Sequence, residues 1–312
     1  MVDLTVQIGS LKLANPVMPA SGTFAEGMAK VIDLNRLGAI VTKTITEDVR
    51  EGNPPPRIAE FPDATLFSIG IPSKGAQHYV DEIVPFYRRY TPPIIASISA
   101  DTAEDFGKLA ARISVQGVAA IEANVSCPNL KKNGKAFGMD AQATYDVVRA
   151  MKAATNLPVW PKMTPNAGNV AEVATAAQEA GADALVVANA ILGMAIDVET
   201  GLPKVANVTG GLTGPATRPI LLRIAHQCAE AVSIPVIGCG GISTGADAIE
   251  YLMAGATAVQ VGTANFLSPN AMLRVLDEMI DYCNRKGIAR VSDLTGSMRR
   301  HEPLKFDKVN VF

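Results

Sequence analysis

The chain has 312 residues, of which 28 are Lys or Arg and 30 are Asp or Glu, so its formal charge at pH 7 is −2. A nearly neutral chain without a basic block is a poor match for nucleic acid, because neutralising phosphates takes clustered Lys and Arg. At about 150 residues per domain the length suggests two domains, but an α/β barrel commonly fills about 250 residues as one. The choice depends on where the 26 Gly and 20 Pro lie.

The sequence carries no signal for export or for a membrane span. It begins Met1-Val2-Asp3, with an acidic residue where a signal peptide needs basic ones. The most apolar stretch, residues 184–196, is far shorter than the ~20 residues that span a bilayer. No Cys-x-x-Cys pair that would hold zinc or an iron-sulfur cluster occurs. The sequence therefore predicts a cytoplasmic protein with no bound metal and reduced cysteines, which are Cys127, Cys228, Cys239 and Cys283.

Strand-like apolar runs recur along the chain, and each follows a proline or a glycine in alternation. In chain order the entry residues are Pro16, Gly38, Pro93, Gly117, Pro158, Gly181, Pro235 and Gly255. A glycine is expected directly after a helix, where positive φ is needed, and proline is tolerated as the first residue of a strand. Between the runs, Thr102 to Ser114 and Asn169 to Ala180 have helical spacing or composition.

Eight buried strands alternating with helices predict a TIM-type (β/α)8 barrel rather than an open sheet, since no Gly-x-Gly-x-x-Gly follows the first strand. Two segments interrupt the repeat, Glu47 to Gly75 and Val198 to Pro219. Both follow strands, so we expect inserted βα loops at the C-terminal face, where they would shape a site; plain surface excursions are the alternative. Val291 to Phe312 is a C-terminal extension that could be an extra helix, a partner contact or a tail.

Glycine-rich turns end the seventh and eighth strands, at Gly238 to Ile242 and Val261 to Asn265. Glycines let the backbone approach an anion closely, and the amides of a following helix N-terminus point at it. In a barrel this position predicts phosphate binding. A purely structural turn is the alternative.

Reactive side chains end other strands on the same face. Lys43 follows the second strand and Lys162 the fifth, and Cys127 follows the fourth. A lysine that ends an apolar strand is costly unless it meets an anion or a reduced cofactor, with a salt bridge to Glu122 as the alternative. We interpret the other three cysteines as buried and inert.

Asparagines surround these groups, namely Asn124, Asn129 and Asn189. An amide-rich pocket with one thiol and two ammonium groups suits a heteroaromatic ligand with imide edges. The histidines lie away from the predicted strand ends, which disfavours a histidine triad or metal site.

Six motifs together resemble the class 1 dihydroorotate dehydrogenases: Asn15 to Gly22, Thr42 to Thr44, Asn124 to Asn129, Leu192 to Asp197, Thr209 to Ala216 and Val261 to Phe266. The resemblance runs over nearly the whole chain and is strongest to the catalytic subunit of the NAD-linked class 1B enzymes. Cys127 separates the chain from the membrane-bound class 2 enzymes, which have serine there and an N-terminal membrane-associating extension.

The resemblance implies that residues 1–312 form a single domain with FMN in the mouth of the barrel. Lys162 would face the N1 side of the flavin, where a cation stabilises the reduced, anionic form. Gly240, Gly241, Gly262 and Thr263 would hold the phosphate. The other implied cofactor contacts are Ala20, Ser21, Gly22, Lys43, Thr44, Ser97, Asn124, Ala188 and Gly214.

The resemblance also implies the reaction, the oxidation of (S)-dihydroorotate to orotate in pyrimidine (UMP) biosynthesis. Cys127 would remove the C5 proton while C6 delivers hydride to flavin N5. The implied substrate contacts are Lys43, Ile69, Gly70, Ile71, Asn124, Asn129, Asn189 and Ala190. As partners the family suggests a homodimer, and a heterotetramer in which a second subunit with FAD and a [2Fe-2S] cluster passes electrons to NAD.

Three positions depart from the family pattern. Phe67 stands where the family has a substrate-binding asparagine, Ala190 where it has Ser or Thr, and Ser97 where it has a flavin-contacting Asn. These departures suggest an alternative substrate, another dihydropyrimidine or a less polar unsaturated ring. A flavin-binding barrel kept for assembly rather than catalysis is a third reading, and the intact Cys127, Lys43 and Lys162 argue against it.

Overall fold

The computed structural model describes residues 2–126 and 136–301. Of the site residues predicted from the sequence, Cys127 and Asn129 lie outside the described residues. The strands, in chain order, are β1 (Val6–Ile8), β2 (Leu11–Leu13), β3 (Val17–Pro19), β4 (Ile40–Val41), β5 (Val49–Arg50), β6 (Ile58–Phe61), β7 (Ala64–Phe67), β8 (Ser73–Lys74), β9 (Ile94–Ile98), β10 (Val118–Ala123), β11 (Val159–Pro161), β12 (Leu185–Val187), β13 (Ile191–Met194), β14 (Thr209–Thr213), β15 (Val236–Cys239) and β16 (Ala258–Val261).

The α-helices are α1 (Gly75–His78), α2 (Val84–Tyr87), α3 (Ala103–Ile113), α4 (Ala141–Ala154), α5 (Val170–Glu179), α6 (Arg218–Ala231), α7 (Gly245–Met253), α8 (Ala264–Leu267) and α9 (Ala271–Lys286). A π-helical turn, Tyr79–Ile83, joins α1 to α2. Short 3-10 helices cover Glu26–Lys30, Leu34–Arg36, Phe137–Met139, Pro215–Thr217 and Val291–Leu294.

Eight parallel strands form the barrel. They make two sheets, β11-β10-β9-β4 and β12-β15-β16-β3. The sheets adjoin at both edges: a parallel bridge joins Lys162 to Val186, and the Gly38 amide donates to the Val17 carbonyl at 2.8 Å. The strands follow one another around the ring in chain order, so the predicted (β/α)8 barrel is confirmed.

The four prolines act as predicted, since each directly precedes one of β3, β9, β11 and β15. Two of the glycines also behave as predicted. Gly181 and Gly255 have φ of +98° and +117°, and their amides donate to carbonyls in the final turns of α5 and α7. Gly117 also has positive φ, +111°, but it lies in a turn before β10 rather than directly after α3.

Gly38 has a different reason, which corrects the sequence interpretation. It lacks positive φ, and a Cβ there would lie 2.0 Å from the Asn15 carbonyl oxygen. Close backbone packing beside β3 therefore requires this glycine.

Two of the helices were predicted, and both are capped as their sequences suggest. The Thr102 hydroxyl accepts from the Asp105 amide at the start of α3, and the Asn169 side chain accepts from the Glu172 amide at the start of α5. Phe106, Leu109 and Ile113 of α3 are buried against the barrel.

The two insertions form one structure rather than separate loops. Strands β13, β14, β7 and β6 make an antiparallel sheet in which Gly211 pairs with Phe67 and Leu212 with both Ile191 and Leu66. Residues far apart in the chain thus meet at one side of the barrel mouth. Within the described part of the chain, no helix is long and apolar enough to cross a membrane.

The described part of the C-terminal extension packs on the barrel. The amides of Gly296 and Met298 donate to the carbonyls of Leu252 and Met253 at the end of α7, and the Val291 amide donates to the Asp3 carbonyl. The extension begins with the 3-10 helix Val291–Leu294.

Candidate active site

A buried lysine lies at the carboxyl end of β11. The side chain of Lys162 is 5% exposed, and its Nζ donates to Gln260 Oε1 at 2.9 Å and to Ser21 Oγ at 3.3 Å. The Glu122 carboxylate lies 3.9 Å away. Lys162 therefore lies near the strand carboxylate that the sequence offered as its alternative partner, and its contact with a cofactor stays a prediction.

Gln260 joins the lysine to that carboxylate. Its Nε2 donates to Glu122 Oε2 at 2.7 Å, while its Oε1 accepts from Lys162. Glu122 lies on β10 and Gln260 on β16, in different sheets, so this bond crosses the barrel interior. Sequence reasoning missed Gln260, although a polar residue within the apolar run Ala258–Val261 was a usable signal.

An amide cluster lies next to the lysine, where β10 and β12 end. Ser126 Oγ donates to Asn124 Oδ1 at 2.7 Å, and Asn189 Nδ2 donates to Ser126 Oγ. The Asn189 Oδ1 accepts from the Ala190 amide at 2.8 Å. The structure thus brings together three predicted residues, and it adds Ser126, which directly precedes Cys127 in the chain.

The predicted residues after β4 and on β9 are also neighbours. Thr44 Oγ1 and Ser97 Oγ lie 3.0 Å apart, and both residues are buried. Lys43 lies just before Thr44 and is half-buried. Ser97 therefore interacts with Thr44, a predicted flavin contact.

The glycine-rich turn after β16 lies against the residues that follow β3 and against the end of β14. The Ala20 amide donates to the Val261 carbonyl at 2.8 Å, and a Cβ at Gly262 would lie 3.3 Å from the Ala20 Cβ. Thr263 Oγ1 lies 3.0 Å from Thr213 Oγ1. Gly22 follows Ser21 with φ of +83°. A larger residue at Gly262 would crowd Ala20. We call the two glycine-rich turns, with Gly240, Gly241 and Gly262, the glycine cradle.

The other glycine-rich turn, which follows β15, is hydrogen-bonded to α7. Gly240 and Gly241 have φ of +129° and +67°, which favours glycine at both positions. The Tyr251 hydroxyl donates to the Gly240 carbonyl at 2.8 Å. The Ala188 amide donates to the Cys239 carbonyl at 3.0 Å, so the predicted contact Ala188 lies beside this turn. Gly214 is also left-handed, with φ of +110°.

The rim of the site, formed by the insertion sheet, is apolar where it meets the amide cluster. A Cβ at Gly211 would lie 2.7 Å from the Ala190 Cβ and 3.2 Å from Cζ of Phe67. Phe67, Gly211 and Ala190 are all partly exposed. The two departures from the family pattern, Phe67 and Ala190, therefore face a common glycine.

The predicted residues Ile69, Gly70 and Ile71 are held by the other end of the insertion. The Asn53 amide donates to the Ile69 carbonyl at 3.0 Å, and its Nδ2 donates to Ser68 Oγ at 3.0 Å. Gly70 and Ile71 have φ of +81° and +51°. The hydrogen bonds described for residues 68–71 thus run to Asn53 and Arg57, and they do not tie this turn to the amide cluster.

The three described cysteines are buried, as predicted. Burial raises the pKa of the Cys228 thiol to about 12, and it also raises the pKa of Cys283. Burial raises the pKa of Cys239 as well, although the nearby Lys162 opposes that shift. These thiols stay protonated near neutral pH, so they are poor bases and poor nucleophiles.

Together these features define an α/β-barrel enzyme with a buried cation and an amide cluster where its strands end. The family model described as dihydroorotate dehydrogenase matches residues 3–282. The chain belongs to the dihydroorotate dehydrogenase family.

Its relatives include proteins named dihydroorotate dehydrogenase B (NAD(+)), catalytic subunit. The one from Desulforamulus reducens is 46% identical over 299 residues, covering 95% of this chain and 98% of the relative. The one from Geobacter sulfurreducens is 47% identical with the same coverage. The one from a Thermoanaerobacter species is 44% identical over 300 residues, covering 96% and 99%.

Membership of this family makes the chain an oxidoreductase and implies a flavin cofactor. The described residues fit such a group. A buried ammonium offers a cation for a flavin ring. Gly240 and Gly262 are partly exposed and carry no side chain, so an anion can approach their backbone. The donor set and the glycine cradle lie at the carboxyl ends of the strands, where barrel enzymes bind their ligands.

Proposed function

We propose that this chain is the FMN-binding catalytic subunit of an NAD-linked enzyme that oxidises (S)-dihydroorotate to orotate, with residues 1–312 forming one domain. The observation that carries the proposal is the buried Lys162 beside the amide cluster of Asn124 and Asn189. Relatives that carry the name dihydroorotate dehydrogenase B support the same reaction.

FMN rather than another flavin is proposed from the glycine cradle. Gly240, Gly241, Gly262 and Thr263 would bind its phosphate, and Ala20, Ser21, Gly22, Thr44 and Gly214 would line its ring and ribityl chain. Bound FMN supplies the hydride acceptor. Lys162, fixed by Ser21 and Gln260, would place a positive charge at the ring edge where negative charge develops.

The amide cluster would orient the substrate. Asn124 and Asn189, with Asn129, would bind the pyrimidine amides, and Lys43 would meet the carboxylate of dihydroorotate. Because Ser126 bonds to both Asn124 and Asn189, these two amides have fixed positions before a ligand arrives. Orientation of this kind lowers the entropic cost of reaching the reactive geometry.

Cys127 would act as the base that takes the C5 proton. An unperturbed thiol has a pKa near 8.5, so a cysteine base works better as the pH rises towards that value. Cys127 directly follows Ser126, whose hydroxyl lies in the amide cluster. The three described cysteines are buried, which leaves Cys127 as the thiol proposed for this role.

The electrons would leave through a second subunit. The sequence contains neither a dinucleotide-binding fingerprint nor paired cysteines for a cluster, so a partner with FAD and a [2Fe-2S] cluster would pass them to NAD. A homodimer of catalytic subunits within a heterotetramer is part of this proposal. The isolated cysteines favour a reducing compartment such as the cytoplasm.

The apolar rim supports a second candidate, oxidation of another dihydropyrimidine or a less polar ring. Phe67 and Ala190 offer no hydrogen-bonding side chain where they meet Gly211. Each hydrogen bond missing from a ligand costs about 0.5–1.5 kcal/mol, which weakens a polar substrate more than an apolar one.

A substrate panel separates the two candidates. The purified protein is freed of oxygen, its flavin is identified after release, and samples are mixed with dihydroorotate or with uncharged dihydrouracil. We expect FMN, and bleaching of its visible absorbance by dihydroorotate. Bleaching by dihydrouracil alone would favour the second candidate, and a protein that binds no flavin would contradict both.

A further inference from the structure

A buried carboxylate lies behind the lysine of the site, and the reaction as proposed does not use it. The side chain of Glu122 is 0% exposed, and Lys162 Nζ is 3.9 Å from its Oε1. Within the described residues that Oε1 has no hydrogen-bond partner, while Oε2 accepts from Gln260. A buried carboxylate with one oxygen unsatisfied is costly, so its presence calls for an explanation.

The cation of Lys162 and the anion of Glu122 form a pair with no net charge. Gln260 fixes the spacing, because one end of its amide binds the carboxylate and the other binds the ammonium. Ser21 takes a further hydrogen bond from Lys162 on the side of the predicted flavin contacts. Glu122 therefore stands behind the ammonium, while Ser21 marks the side that faces the ligand.

We propose that Glu122 is a positioning residue that sets the reduction potential of the flavin, by offsetting part of the positive charge that Lys162 presents to the ring. This inference rests on the proposed function, since it takes Lys162 to face the flavin. An uncompensated cation would stabilise the reduced, anionic flavin and so raise its reduction potential. The counter-charge keeps the flavin potential low enough for the electrons to be passed to a low-potential acceptor such as NAD.

The isosteric variant Glu122→Gln tests the charge. The amide oxygen that it introduces can still accept the hydrogen bond of Gln260, so the packing is kept and one negative charge is removed. The probe is sulfite, whose lone pair adds to the oxidised flavin without an external oxidant and leaves negative charge on the ring. We expect sulfite to bind on the order of tenfold more tightly, and the midpoint potential to rise, because one buried charge has been removed.

Two controls separate charge from packing. Glu122→Asp keeps the charge and disturbs the packing, so its sulfite affinity should stay close to that of the unmodified protein. Glu104→Gln removes the same charge from an exposed pair with Lys108 and should change neither sulfite affinity nor potential.

The outcomes distinguish this inference from the proposed function. If the unmodified protein holds no flavin, the proposed function fails and the inference fails with it. If flavin is bound but Glu122→Gln leaves sulfite affinity unchanged or weaker, or if Glu122→Asp shifts it as much as Glu122→Gln does, the inference alone is overturned.

Discussion

The floor and the rim of the site are built by different means. The floor is made of Lys162, Glu122, Gln260 and Ser21, which lie on barrel strands or directly after them. All four are polar, and the first three are buried. The rim, made of Phe67, Gly211 and Ala190, comes from or adjoins the antiparallel insertion sheet, and it is partly exposed and apolar. The strand ends thus supply the groups for cofactor chemistry, while the insertion shapes what approaches the cofactor.

This division separates two kinds of specificity. Floor side chains form hydrogen bonds across the barrel, so changing one leaves a buried partner unsatisfied. The rim side chains, Phe67 and Ala190, are apolar and lie near Gly211 of the insertion sheet. We therefore expect floor variants to alter cofactor properties and stability, and rim variants to alter substrate affinity.

The largest expected effect tests whether the chemistry can be lost while the floor stays intact. Cys127→Ser should lower dihydroorotate oxidation by about 10²- to 10⁴-fold, the range expected for loss of a general base. Bound flavin, measured by absorbance, should be unchanged. The matched control is Cys228→Ser, since Cys228 is buried and its pKa is raised to about 12, so turnover should hardly change. Equal turnover of Cys127→Ser and the unmodified protein across the pH range would contradict the base assignment.

The next effect concerns the floor itself. Lys162→Met removes the cation and leaves Glu122 buried and uncompensated, which should reduce the free energy of unfolding by about 3–5 kcal/mol. Urea unfolding of the flavin-free protein measures it. Lys108→Met breaks an exposed pair and should leave the unfolding midpoint unchanged. A loss no larger than that of Lys108→Met would show that the floor is not a coupled unit.

A smaller effect is expected at the rim. Phe67→Asn places an amide beside Gly211, and one new hydrogen bond of about 0.5–1.5 kcal/mol should tighten orotate binding roughly two- to tenfold. The perturbation of the flavin spectrum by orotate reports the dissociation constant. Phe61→Asn changes the same residue type elsewhere in the insertion sheet and should not tighten binding. Unchanged orotate affinity in Phe67→Asn would remove Phe67 from the substrate site.

The smallest effect concerns the support behind the glycine turn. Tyr251→Phe removes the hydrogen bond to the Gly240 carbonyl, so FMN affinity should fall roughly two- to tenfold. Riboflavin, which lacks the phosphate, should bind to this variant as it does to the unmodified protein. The control variant Tyr282→Phe, on α9, should bind both FMN and riboflavin with unchanged affinity. Burial raises the pKa of the Tyr251 phenol, so the loss should be the same at neutral and mildly alkaline pH. Equal weakening of FMN and riboflavin would show that the turn does not hold the phosphate.

Much of the barrel was predictable because local residue types mark where its strands begin and its helices end. Pro16, Pro93, Pro158 and Pro235 mark strand starts, and left-handed glycines such as Gly255 mark helix ends. Gly38 shows the limit of such reasoning. Its cause is the nearby Asn15 carbonyl, a tertiary contact that no local pattern reveals.

The site likewise contains residues that the sequence reveals and residues that only the fold brings together. Lys162 and the asparagines could be found from their positions after apolar runs, and Glu122 was foreseen as a partner for Lys162. The Gln260 bridge could not be paired with them, because β10 and β16 meet across the barrel interior. The pairing of Phe67 with Gly211 depends on antiparallel contact between two insertions more than a hundred residues apart in the sequence.

A stoichiometric anaerobic titration of the oxidised protein with dihydroorotate tests the central claim most directly. We expect flavin absorbance to bleach in proportion to added dihydroorotate, with an end point at one equivalent per bound FMN and recovery of an equal amount of orotate. Bound FMN that stays oxidised in excess dihydroorotate would show that this protein does not oxidise dihydroorotate.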